Sequence, residues 1–337
     1  MAHCRRLFVA VALALPALSG AQSLDLTIKH TGLSIGDSRF VRGIRLNFRD
    51  SRLDRLDGIN ATIWMPYEPA RGEVRGLALG LPATGARRIA GAGIGVFGVG
   101  ATEDIGGIGL GGFGVGAGGE LRGIMIGGFG VGSGGGITGL TVGGFGAGSG
   151  GNIRGITIGG FGAGAGGDLT GLQIGGFGVG GGGSVSGITI GGFGAGAGGD
   201  VKGLTIGGFG AGAGGDITGI SLAGFGIGSG GTVRGIALAG IGVGAPRIRG
   251  IVVAPAAGGL DVEGAILAPL YFKIERDGRV KGITASAFNH VKGDQFGLSI
   301  GLLNYAWDLH GLQIGVLNYA GNNPRGLRLL PLFNREW

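Results

Sequence analysis

The sequence predicts an all-β repeat protein, a β-solenoid of about nineteen coils of 14–18 residues, and three observations carry that reading. Glycine supplies 90 of 337 residues, yet only 14% of the chain is charged and 44% is hydrophobic, the reverse of the composition that keeps a chain disordered. Glycines opening a Gly-apolar-x-apolar unit fall at 91, 107, 123, 139, 155, 171, 187, 203, 219 and 235, a constant step of sixteen. Large apolar residues keep phase with that step. With the opening glycine as position 0, position 6 holds phenylalanine from Phe97 to Phe225, and position 3 holds Ile, Leu or Val from Ile94 to Leu238.

Within the sixteen, apolar residues occupy positions 1, 3, 6, 8, 10 and 14. Alternation of period two holds from 1 to 3 and from 6 to 10, then slips at the glycine pair 4 and 5 and again around 11 to 14, so short strands are separated by corners. Glycine suits a corner because it alone takes positive φ without steric cost. The large residues are expected to point inward as ladders of phenylalanine and isoleucine, with positions 2, 13 and 15 outward. On this reading Phe177→Ala removes a core rung and Thr189→Lys is nearly silent. Position 13 carries Glu120, Asp168, Asp200 and Asp216, and position 15 carries Arg122, Arg154, Lys202 and Arg234, one solvated corner.

Along the chain, residues 1–21 read as a secretory signal: Arg5 and Arg6, an apolar run too short to span a bilayer, then Ser19-Gly20-Ala21. Cys4 precedes that run, so the mature chain has no thiol for a disulfide or metal. Residues 22–90 form a charged N-terminal cap with the first irregular coils, in which Arg42 and Arg45 fall at outward positions 15 and 2. Residues 91–249 are the regular repeats, and 250–337 are irregular C-terminal coils and a cap, with 22–337 one continuous domain whose units run from Gly43 to Gly326. The alternative fold is a closed outer-membrane β-barrel with one strand per repeat. The leader and the terminal aromatic Trp337 favour it, whereas the repeats lack a polar lumen face and aromatic girdles.

The C-terminal stretch "GLSIGLLNYAWDLHGLQIGVLNYAGNNPRGLRLLPLFN" resembles bacterial exported surface-repeat proteins built on iterated "GLQIG-LN" units, over residues 296 to 334. The middle of the chain is a glycine-rich variant of that unit, with Gly178 opposite Asn318. The resemblance implies an exported, envelope-associated protein and no particular activity.

No constellation for chemistry emerges. The many GxGxxG matches have no helix start after them, as a nucleotide site requires. "AGAGGD" is similar to a calcium-binding β-roll, but Gly136, Asn152, Ser184 and Thr232 replace the acid in other coils. His30 stands in a charged stretch without a nucleophile motif nearby, and His290 and His310, twenty residues apart in adjacent irregular coils, fit solvated or capping roles better than a shared site. The expectation is therefore no enzyme, no catalytic residues, no metal, no cofactor, no nucleic acid and no specific small molecule.

One surface feature stands out. Thr141, Thr157, Thr189, Thr205 and Ser221 at position 2, interrupted by Gln173, would form an outward hydroxyl row, a candidate ice- or surface-binding row. Three function classes follow: a non-enzymatic exported structural or interaction protein of the envelope or cell surface, an outer-membrane β-barrel protein, and an adhesive solenoid using the threonine row. The expected location is periplasm, outer membrane or cell surface. The expected partners are an envelope surface, a protein or another copy of the chain.

Overall fold

The computed structural model describes residues 23–66 and 68–336. The leader reading for 1–21, Cys4 and Trp337 lie outside the described residues. The chain divides into two compact units, one up to Gly151 and one from Asn152 onward.

Each regular coil has a seven-residue strand and a four-residue strand. In the second unit, Leu169–Gly175 pairs in parallel with Val185–Gly191, Gly171 opposite Gly187, and Gly178–Gly181 pairs in parallel with Gly194–Ala197. In the first unit Leu121–Gly127 meets Ile137–Gly143 in the same way, with Gly123 opposite Gly139. Like residues therefore stack on like residues. Together these coils make a β-solenoid of about 16 turns, not a barrel.

The solenoid has about 16 turns where the spacing predicts nineteen, and at the chain's ends sequence units and coils do not coincide. The unit around Gly326 lies in the 3-10 turn Arg325–Leu327, and Leu329–Arg335 then runs back antiparallel against Phe288–Ala320. That return strand covers what would be an open edge. At the other end Ser23–Ile28 pairs antiparallel with Thr31–Gly36, and Thr31–Gly36 pairs in parallel with Phe40–Arg49, Gly32 opposite Gly43. Gly32 thus opens a unit that the spacing did not reveal.

The assignment of faces is the main correction. The buried rows are position 14 (Leu121, Ile137, Ile153, Leu169, Val185, Val201, Ile217), position 8 (Val115, Val131, Ala163, Val179, Ala195, Ala211) and position 2. Phenylalanines at position 6 point outward, as do the isoleucines at positions 1 and 3, Ile156 and Ile158 among them. Strand alternation makes 14, 0, 2 and 4 one face and 15, 1 and 3 the other. Volume then decides which face turns inward. The lumen between the long and short strands is narrow, as the neighbours of the small position 2 residues show. A Cβ on Gly93 would lie 2.6 Å from Val99 Cγ1 on the short strand, and one on Gly109 would lie 2.9 Å from Val115 Cγ1. Ladders of phenylalanine do not fit such a space, whereas Thr, Ser, Ala or an occasional Met beside a glycine does.

Two ladders join coil to coil outside this apolar core. The opening glycine takes φ near +113 at Gly171 and +117 at Gly187, and a Cβ there would lie 2.2 Å from the preceding glycine's carbonyl oxygen. Position 13 forms the second. Asp168 Oδ1 accepts from the Ser184 N–H at 2.7 Å, Asp200 Oδ1 from the Asp216 N–H at 2.9 Å, and Asp216 Oδ1 from the Thr232 N–H at 2.7 Å. Asn152 and Ser184 serve as acceptors in the same way. The acidic corner residues therefore satisfy backbone donors of the next coil, which Asn, Ser and Asp can all do.

The end regions use polar interiors instead. Arg45, expected outward at position 2, is 0% exposed; it donates to Asp37 Oδ1 at 2.7 Å and Asn60 Oδ1 at 3.0 Å and is ion-paired with Asp50. In the C-terminal coils, Asn289 donates to Asn304 and Asn304 to Asn318, each at 2.7 Å. Asn304 and Asn318 are the asparagines of the "LN" motif, and with Asn289 they form a buried amide ladder.

Candidate functional site

The inward turn of position 2 leaves the larger apolar residues outside, and they form the most distinctive surface of each unit. In the second unit the long strands present Ile156, Ile188, Ile220 and Ile236 at position 1 and Ile158 and Leu238 at position 3, all exposed. Around the adjacent corner Phe161, Phe177, Phe193, Phe209 and Phe225 form one row. Their rings stack nearly parallel, with centroids 5.1, 4.8, 4.7 and 4.7 Å apart in order. The Phe N–H groups also donate to the preceding Phe carbonyl, as from Phe177 to Phe161 at 2.6 Å. The row is fixed by its backbone as well as its rings.

The first unit repeats the arrangement. Ile108 and Ile124 are exposed on the long strands, Phe113 and Phe129 stack at 5.3 Å, and Phe129 and Phe145 at 4.9 Å. Phe97 meets Phe113 edge-on at 82°.

Size separates this face from ordinary surface. Five half-exposed phenylalanines alone present on the order of 500 Å², and the isoleucine rows add to it. Monomeric soluble proteins rarely show contiguous apolar patches above roughly 600 Å² unless something binds there.

One border of the face is basic. Position 15 projects from the same side of the long strand as positions 1 and 3. In the second unit it holds Arg154, Lys202, Arg234, Arg249 and Lys281, with Glu263 the one acid. Among the described residues only Lys202 of these cations has an ion pair, with Asp200 at 3.1 Å. In the first unit Arg122 is paired with Glu120.

The threonine row occupies the opposite side of the strand. Thr141, Thr157, Thr189, Thr205 and Ser221 are all buried, Thr189 at 2% exposure, and Gln173 is buried with them. The Oγ1 atoms of Thr141 and Thr157 have no hydrogen-bond partner. These hydroxyls line the lumen, so they present nothing to ice or any other surface.

The histidines are separated. His290 shares a hydrogen bond with the Tyr271 hydroxyl at 2.9 Å and stacks on Phe288 at 5.0 Å, whereas His310 stacks on Phe296 at 4.8 Å and lies 3.4 Å from Glu336. Burial, with Lys292 and Lys273 nearby, pushes the His290 imidazole below its usual range. His290 borders an open groove of about 580 Å³ with Glu275, Lys292, Trp307 and Asp308. No serine, threonine or cysteine among the described residues lines that groove. Among the described residues no three His, Cys, Asp or Glu side chains are grouped to hold a metal ion.

The outward apolar rows are the feature that sequence reasoning placed on the wrong side. The signal that could have found them is volume: four-residue strands of Gly-Val-Gly-Gly or Gly-Ala-Gly-Ala leave little depth for a large side chain opposite. No family model, no curated protein and no solved structure matches the chain.

Proposed function

We propose that this chain is a non-enzymatic, exported structural or interaction protein of the bacterial envelope, and that the outward Ile/Phe face is the surface through which it attaches. The observation that carries this reading is the placement of rows 1, 3 and 6 outside the solenoid, where Phe177 is 52% and Ile188 43% exposed. Apolar rows of this extent are stable in water only when something covers them.

Two sequence features support the location. Residues 1–21 have the layout of a secretory leader. Residues 296–334 resemble the iterated "GLQIG-LN" units of exported surface-repeat proteins, and their Asn304 and Asn318 belong to the buried ladder of the C-terminal coils.

The other two function classes lose their basis. Parallel stacked coils replace the antiparallel strands that a membrane barrel needs, and the threonine row is inside. Cell fractionation of the native host tests the proposal. The chain is expected in the envelope fraction, shortened by the leader and released by a sodium carbonate wash. Recovery in the cytosol with residues 1–21 still attached would overturn it.

A further inference from the structure

We infer that the partner of the apolar face is an anionic lipid surface, onto which the coils dock tilted, with the phenylalanine corner immersed and the position 15 cations level with the lipid phosphates. The inference rests on the reading of this face as the attachment surface.

Order around the coil is its first support. Each long strand of the second unit presents, on one side, position 15, then 1, then 3, and the chain next turns the corner to the phenylalanine at 6. At about 3.3 Å per residue, position 15 stands roughly 13 Å along the strand from position 3. That is comparable with the roughly 5–10 Å to which an interfacial element sinks into the headgroup and acyl boundary. A coil tilted with Phe193 deepest and Lys202 or Arg234 shallowest matches that gradient. Long basic side chains reach the phosphates while their stems stay on apolar surface.

Charge decides between lipid and a second copy of the chain. The row Arg154, Lys202, Arg234, Arg249 and Lys281 is opposed on its own face only by Glu263. On the neighbouring corner Asp168, Asp200 and Asp216 each accept from the next coil's N–H through Oδ1, and of the row only Lys202 is paired there, with Asp200. A face-to-face dimer would therefore cover the isoleucines and phenylalanines but bring no row of anions to the arginines. Anionic headgroups supply both an apolar layer and the counter-charge, and juxtamembrane cations are drawn to such a surface within a Debye length.

The geometry also assigns separate tasks to the two borders. The stacked phenylalanines contribute insertion that is insensitive to salt, and the arginines contribute attraction that salt screens.

The experiment uses the mature full-length chain and sedimentation with vesicles of phosphatidylcholine, with or without a minority of phosphatidylglycerol. Sedimentation velocity without lipid runs in parallel, and circular dichroism verifies the fold of each variant. Two pairs are compared with the parent: Phe177→Ser with Phe193→Ser, and Arg154→Ser with Arg234→Ser. Expected are binding to the phosphatidylglycerol vesicles, about tenfold weaker binding to phosphatidylcholine alone, and loss of about tenfold by the arginine pair on the anionic vesicles only. The phenylalanine pair weakens binding to both. Equal binding to both vesicle types overturns the inference. So does absence of vesicle binding with an oligomer that the phenylalanine pair dissolves; the face then remains an attachment surface, whose partner is another copy. A monomer that binds neither vesicle overturns both readings.

Discussion

Phe177 and Phe193 lie face to face, with ring centroids 4.8 Å apart and planes 3° from parallel, and each ring is about half exposed to solvent. Between them in sequence, and on the other side of the strand, Thr189 is 2% exposed. The pair of relationships fixes which way the coil is turned and sets the first prediction. Thr189→Lys buries a charge with no partner and is expected to cost about 3–5 kcal/mol. Phe177→Ala removes outward stacking and is expected to cost about 1 kcal/mol. Denaturant unfolding of the two variants checks the order, and a more damaging phenylalanine change would contradict the burial.

Glycine is not equally needed along the repeat. Gly187 has φ +117, and a Cβ there would lie 2.2 Å from Gly171 O, whereas a Cβ on Gly180 meets nothing within 4 Å. Gly187→Ala should destabilise by about 1–3 kcal/mol, because backbone stands in the way and the conformation is strained for an L residue. Gly180→Ala should be neutral or slightly stabilising through the unfolded chain. Thermal unfolding of the two single variants separates these outcomes.

The Asp200 carboxyl is held below its ordinary value of 3.8, first by the Asp216 backbone N–H and next by Lys202. A carboxyl depressed on folding contributes stability that is present above the unfolded value of about 3.8 and is lost as pH falls through the folded one. Asp200→Asn keeps an acceptor for the Asp216 N–H and removes the titration. The parent should therefore lose stability relative to Asp200→Asn as pH falls below about 3.8. Melting temperatures measured across that range provide the check; parallel curves would show that the ladder does not depend on the charge.

Deleting residues 171–186 joins Thr170 to Gly187 in phase. Position 13 stays occupied, since Asp168 then precedes Asp200 in the acceptor ladder and either can serve. Each coil pairs only with its neighbours, so the variant should fold with a melting temperature within a few degrees of the parent. Deleting 171–178 alone breaks the phase of every row after it and should give a protease-sensitive chain. Limited proteolysis compares the two.

How much of this was legible in the sequence follows from what a period encodes. The sixteen-residue step and the alternation around it determine which residues share a row and which rows share a side, and the in-register glycines at 171, 187 and 203 bear that out. Alternation does not say which side is inside. Hydropathy put Phe177 in and Thr189 out, while the narrow lumen imposes the opposite. Arg45 shares position 2 but is buried for another reason, its contacts with Asp37, Asp50 and Asn60, which reach it from separate turns of chain. The Asp200 ladder was visible as a recurrent acid, but its purpose appears only when the Asp216 N–H is found 2.9 Å away. Hydrogen bonds between coils leave no trace in composition.

The constant phase of the repeats also has a genetic consequence. Tandem coding units of one length are prone to unequal crossing-over, which adds or removes whole units, and each such event keeps every row aligned. The antiparallel end strands Ser23–Ile28 and Leu329–Arg335 lie outside the sixteen-residue tract and are untouched by such events. On the attachment reading proposed above, alleles differing in repeat number encode different numbers of outward Ile/Phe rungs, each bringing one more weak contact, so that avidity follows copy number.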